Sequence, residues 1–197
     1  VLVGEGTRRH QAHQSAGRTH TFIKTHKVAF ITLDIGANNV DPCGFVPVSQ
    51  LGACVATGLT SINGNVPKIV KKLRKAAGRK VRIVGMTYYD PFLADFFGTP
   101  AQQPLAPLSV PLSTKFNDDL VAAFKTQQLR IADVATAFDT DTPFTTTTTL
   151  AGHGTVPLAV AQICRLTWMC AAAPRGPNIH ANATGYRKIA GVFAAKL

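Results

Sequence analysis

The sequence predicts an α/β protein built on a mainly parallel sheet. Three short runs read as strands, at 28–35 (VAFITLDI), 81–88 (VRIVGMTY) and 129–134, the first of them nearly continuously apolar and rich in β-branched residues and the second of the same kind. Strands buried on both faces of a parallel sheet look like this, whereas half-exposed strands alternate. Each run is followed by a segment with helical spacing, and strand–helix alternation returns successive strands parallel to one another. The 197 residues suit one ordinary domain.

The first run ends at Gly36. Residues 50–77 follow as a helix, with Leu59, Ile62, Val66, Ile69, Val70 and Leu73 recurring at its period. Asn63-Gly64 and Pro67 predict a break or kink within it, and Gly78 a stop. After the second run, residues 90–111 carry five prolines and read as loop. Residues 112–127 form an amphipathic helix with Leu112, Phe116, Leu120, Ala123 and Phe124 on one face. The stretch 139–154, with five consecutive threonines, is expected as loop or irregular extended chain, because threonine runs disfavour helix. A last helix spans about 183–195, with Asn182 as its N-cap.

Lys and Arg number 21 against 10 acids, a net charge of +11. Eight of these cations fall between Lys68 and Arg82, and Lys68, Lys71, Lys72 and Lys75 share one stripe opposite Ile69, Val70 and Leu73. That is the solvated face of an amphipathic helix. No nucleic-acid reader motif accompanies it, so a nucleic-acid partner is not expected. The apolar content of 46% excludes a disordered chain. No apolar run reaches the ~18 residues that span a bilayer. Residues 1–21 read as an irregular basic lead-in and 22–197 as the domain. His10-x-x-His13 in the lead-in lacks enough nearby ligands for a zinc site, so no metal or other cofactor is expected.

The four cysteines form no C-x-x-C. Their even number and spacing pair Cys43 with Cys54 and Cys164 with Cys170, which suits an oxidising compartment.

In parallel sheets, ligands sit beyond the carboxyl ends of the strands. Two sequence elements belong there. Gly36-Ala37-Asn38-Asn39 follows the first strand, with Gly36 shaping a turn and Asn38 offering amide donors to a developing oxyanion. Near the C-terminus, Asn178-Ile179-His180-Ala181-Asn182 places an imidazole in a loop as a candidate general base. Together, the strand followed by GANN and the later NIHANATGY resemble the SGNH (GDSL-type) hydrolases, secreted members of the actinobacterial type in particular. ITLDIGANNVDPC, VRIVGMTYYDPFLA and CRLTWMCAAAPRGPNIHANATGYRKIA carry the resemblance, which covers about 22–197.

The resemblance implies a three-layer α/β/α sandwich, flavodoxin-like in its winding, and a secreted serine hydrolase of carboxyl esters acting on a small ester or acylated substrate. It gives His180 the role of base, and Asn38 that of oxyanion donor. Asn178 stands where the family has the Asp that orients the histidine, and Asn39 where an Asp commonly follows. By analogy with an Asp→Asn triad change, Asn178 implies a loss of rate of about 10⁴. The family nucleophile is the Ser of a Gly-Asp-Ser block after an earlier strand. No such triplet occurs here. Val1–Thr7 echoes the block faintly, with Gly6 in the place of Ser, but lies too near Gly36 for the intervening helix and strand. No nucleophile is assigned. The expectation is a chain incomplete at its N-terminus, frameshifted or decayed, with impaired or no ester hydrolysis. The alternatives are a non-catalytic relative that binds an ester, lipid or glycan and, further off, a basic nucleic-acid binder.

Overall fold

A computed structural model of the chain describes residues 21–24 and 26–197. The lead-in through residue 20, including His10, His13 and the Val1–Thr7 segment, lies outside the described residues. The chain divides into two compact units. Among the described residues, the first comprises those up to Thr87, Asp118–Ala132 and Ala195–Leu197, the second Tyr88–Asn117 and Asp133–Ala194.

The first unit holds a mixed α/β arrangement around three strands, β1 (Phe30–Leu33), β2 (Arg82–Met86) and β3 (Arg130–Ala132). They are hydrogen-bonded in the order β1-β2-β3 and both pairs are parallel, with Ile31 opposite Ile83 and Gly85 opposite Ile131. Ile83, Val84 and Met86 of β2 are buried, as a strand covered on both faces requires. β1 departs from that expectation and alternates, Ile31 and Leu33 buried and Phe30 exposed, and in β3 Arg130 is exposed. Gly85 is needed for packing: a Cβ there would meet the Phe124 ring at 2.6 Å.

Helix α1 (Val48–Ala77) buries Leu51, Val55, Gly58, Ile62, Val66 and Val70, one stripe at helical period. It runs unbroken through Asn63-Gly64 and Pro67, which corrects the expected interruption. Proline removes one backbone donor. Against that loss stand the burial of Ile62, Val66 and Val70 on both sides of Pro67 and the Asn63 amide's hydrogen bond to Asp119 Oδ2, 3.0 Å. The helix stops at Gly78, whose φ of 72° lies in the left-handed region. Lys68, Lys71, Lys72 and Lys75 are exposed, the solvated stripe expected.

Helix α2 (Leu105–Lys125) begins earlier than the five prolines predicted. Pro107 sits in its first turn, where an N–H would have no intrahelical partner, so its missing donor costs little there. Residues 105–117 belong to the second unit and 118–125 to the first. A 3₁₀ segment, Pro91–Phe97, also occupies part of the expected loop, capped by Asp90 accepting from the Phe92 N–H at 2.9 Å.

The rest of the second unit comprises the short helix α3 (Val134–Ala137), a hairpin of β4 (Thr147–Leu150) and β5 (Gly154–Pro157), α4 (Leu158–Leu166) and α5 (Ala183–Ala194). The threonine run becomes the antiparallel strand β4, in keeping with the β preference of branched side chains. The hairpin and α4 were not foreseen. Leu150, Val156 and Ala161 pack together against Phe96 and Phe97. Both disulfides, Cys43–Cys54 and Cys164–Cys170, are formed. Each joins cysteines close in the chain, at sequence separations of 11 and 6. No helix among the described residues is long and apolar enough to cross a membrane.

Candidate functional site

Gly36 and Asn38 belong to the first unit. Gly36 has φ 110°, a conformation that other residues rarely adopt, and opens a 3₁₀ turn over Ala37–Asn39. Three devices fix this turn and the 3₁₀ segment after it (Asp41–Phe45) to α1. The Cys43–Cys54 disulfide is one. The Asn39 amide donates to Ser61 Oγ at 3.1 Å. Gly58 supplies the third: a Cβ at that position would collide with the Asn39 carbonyl oxygen. Asn38 is exposed, and its amide makes no hydrogen bond among the described residues.

Asn178 and His180 belong to the second unit, in the loop between α4 and α5. The loop is anchored at several points. Thr167 and Ala181 form an antiparallel bridge. The Trp168 N–H donates to the His180 carbonyl at 3.0 Å, and the Asn178 N–H to the Trp168 carbonyl at 3.3 Å. Asn182 caps α5 as expected, its Oδ1 accepting from the N–H groups of Thr184 and Gly185 at 2.9 and 3.0 Å. Its amide N–H groups reach back to the Arg165 and Thr167 carbonyls. Gly185 lets α5 lie directly against the end of α4, since a Cβ there would run into the Leu166 carbonyl oxygen.

The Asn178 side chain defines the state of the histidine. Its Oδ1 lies 2.9 Å from the His180 backbone nitrogen and 2.7 Å from His180 Nδ1. A backbone N–H can only donate, so the side-chain atom it meets is the amide oxygen, whichever way the amide group was first placed. An amide oxygen accepts two bonds and donates none. The ring nitrogen facing it must therefore carry the proton. The neutral imidazole is thereby held as the Nδ1–H tautomer, and Nε2 keeps its lone pair. Asn178 and His180 are both exposed, so that lone pair is open to solvent and ligands.

This orientation bears on the rate loss expected for an Asn at 178. The ~10⁴-fold loss in an Asp→Asn triad change comes from the wrong tautomer. Here the amide oxygen, not the amide nitrogen, faces the ring, so the tautomer is the useful one. What an amide cannot supply is a charge to stabilise the imidazolium.

Sequence reasoning passed over Asp90. Its carboxyl is buried. Oδ1 accepts from the Phe92 N–H, while Oδ2 has no hydrogen-bond partner among the described residues. The neighbouring Ser109 hydroxyl spends its proton on the Ala106 carbonyl, 3.0 Å away. Burial pushes the Asp90 carboxyl up to about 6. The Phe92 N–H offsets this in part, and the charges of Asp95 and Asp141 add to it. Because the folded state holds this proton more tightly than the unfolded chain does, the contribution to stability is complete below about pH 4. It declines as pH rises through about 6. At about 1.4 kcal/mol per tenfold change in proton affinity, the decline is roughly 3 kcal/mol. Asp90→Asn is expected to flatten the stability profile over this interval in urea unfolding followed by Trp168 fluorescence. A slope equal to that of the parent would show that another group is responsible.

Among the described residues, no group of three or more His, Cys, Asp or Glu side chains could hold a metal ion. Fold and site together define an α/β protein with a three-stranded parallel sheet and an exposed histidine whose ring is oriented by an asparagine. No family model, curated protein or solved structure matches the chain.

Proposed function

We propose that the chain carries the general base of a carboxyl-ester hydrolase of the SGNH type, on an α/β/α sandwich, and works in an oxidising, extracytoplasmic setting. The observation that carries this reading is the double acceptance by Asn178 Oδ1 from the backbone and ring of His180. A base needs a basic nitrogen that faces the reactant and a second nitrogen that is held. The pair supplies both. The two disulfides support the compartment. Asn38 takes the role of oxyanion donor from the sequence resemblance, and its amide has the two N–H groups that the role requires.

We assign the attacking oxygen to water, which requires only a base and an oxyanion donor from the chain. Nε2 of His180 removes a proton from that water as its oxygen bonds to the ester carbonyl carbon. The tetrahedral oxyanion then collapses, the C–O bond to the alcohol breaks, and the imidazolium returns the proton to the leaving oxygen. Acid and alcohol are the products, and the histidine is regenerated.

The test is hydrolysis of p-nitrophenyl acetate and butyrate by the purified chain. Turnover above the buffer background is expected, lower by about 10²-fold in His180→Ala, the low end of the range for a positioned base. Turnover that survives this substitution removes His180 from the mechanism. The neutral Asn178 and the missing Gly-Asp-Ser favour a second reading, a protein that binds an ester, lipid or glycan without cleaving it. Retention on an acyl or glycan matrix with no hydrolysis would establish that reading instead.

A further inference from the structure

We propose that Tyr89 is a positioning residue for His180: its phenol fixes the peptide group between Ile179 and His180, and through that peptide the ring tautomer. One peptide plane in the second unit is held at both ends. The Ile179 carbonyl and the His180 N–H belong to the same planar group. The Tyr89 hydroxyl donates to that carbonyl at 2.9 Å, while the N–H donates to Asn178 Oδ1 at 2.9 Å. Both polar ends of the plane are thus held. On the other side of the residue, the His180 carbonyl accepts from the Trp168 N–H. His180 is therefore clamped through both of its flanking peptides although its side chain is exposed.

Tyr89 is itself held in place. Its ring stacks on Phe138, with centroids 4.6 Å apart and planes 10° from parallel, and Phe138 is fully buried. The preceding residue is fixed by Asn117, whose side-chain oxygen accepts from the Tyr88 N–H at 2.7 Å while its amide donates to the Tyr88 carbonyl at 2.8 Å. The next residue is tied by the Asp90 N–H to Thr140 Oγ1 at 3.3 Å. A phenol on so constrained a segment presents its proton at a defined point. Release of the Ile179 carbonyl lets the peptide plane turn, and the N–H that identifies Asn178 Oδ1 as a shared acceptor turns with it.

Tyr89→Phe keeps the stack and removes the hydroxyl. Loss of one neutral hydrogen bond is expected to speed exchange of the His180 amide proton by roughly 2- to 10-fold, and to reduce the Nδ1–H population in the ring's ¹⁵N spectrum. Gln162→Ala is the control. It deletes a hydrogen bond to Asp139 Oδ2, 2.7 Å in length, elsewhere in the same unit, and should move neither readout. Unchanged exchange and tautomer in Tyr89→Phe, or equal changes in Gln162→Ala, would overturn the inference. The catalytic consequence, a fall in kcat with KM preserved, rests on the ester-hydrolase reading. If tautomer and exchange respond while no His180-dependent turnover exists in the parent, positioning by Tyr89 stands and the hydrolase reading fails.

Discussion

Asn178→Asp is expected to raise His180-dependent ester hydrolysis by about 5-fold. A carboxylate makes the same two acceptances as the amide oxygen and adds a charge. Hydrogen bonds to charged groups are worth roughly 1 kcal/mol more than neutral ones, which corresponds to a factor of about 5 in rate when the charge develops in the transition state. Asn178→Leu removes the acceptor and should bring turnover towards that of His180→Ala. Steady-state kinetics on p-nitrophenyl butyrate decide this. A decrease in Asn178→Asp would mean that the amide, with its N–H donors, serves a purpose other than orienting the ring. The gain is small beside the penalty of a misoriented asparagine because the backbone N–H of His180 already turns the amide the right way.

Gly185→Ala should destabilise the second unit by about 1–3 kcal/mol, the usual cost of forcing extra volume into a packed contact. The new methyl would meet the Leu166 carbonyl oxygen and, at 2.9 Å, the Ala181 Cβ. A backbone carbonyl cannot rotate aside as a side-chain end can. The same carbonyl accepts from the Asn182 N–H at 2.9 Å, so the displacement reaches the loop that carries His180. Gly191, in the same helix, is the contrasting case. A Cβ there would meet nothing within 4 Å, so Gly191→Ala should stabilise by about 0.5–1 kcal/mol through helix propensity alone. Urea unfolding can follow both, because Trp168, the single tryptophan, lies in the His180 loop. Equal effects of the two substitutions would show that α5 is not pressed against the Leu166 carbonyl.

The features legible in the sequence were those set by local chemistry. Apolar, β-branched runs located β1, β2 and β3, and strand–helix alternation their parallel pairing, although only β2 is buried on both faces. Gly36, Gly78 and Asn182 announced a turn, a stop and a cap, since few other residues suit those backbone states. Proline ends neither helix. Pro67 lies within α1 beside buried Val66 and Val70, Pro107 lies in the first turn of α2, where its missing donor has no partner, and Pro111 lies inside α2. Gly58 and Gly185 carried no visible signal, because their need arises from a neighbouring backbone that sequence spacing does not reveal. Tyr89 falls between the second apolar run and the proline-rich stretch, and Asp90 at the start of that stretch, where neither spacing nor composition signals a role. Their roles depend on Ile179 and Thr140, which are 90 and 50 residues away. The orientation of the Asn178 amide was likewise invisible, since it follows from one backbone N–H.

The account depends on the protonation of one ring. A long-range ¹H–¹⁵N correlation spectrum of the intact chain, recorded where the His180 ring is neutral, reads that state directly. The account predicts a protonated Nδ1 and an unprotonated Nε2. A ring protonated mainly at Nε2, as in free imidazole side chains, would mean that Asn178 does not hold it and that His180 is not the base described here.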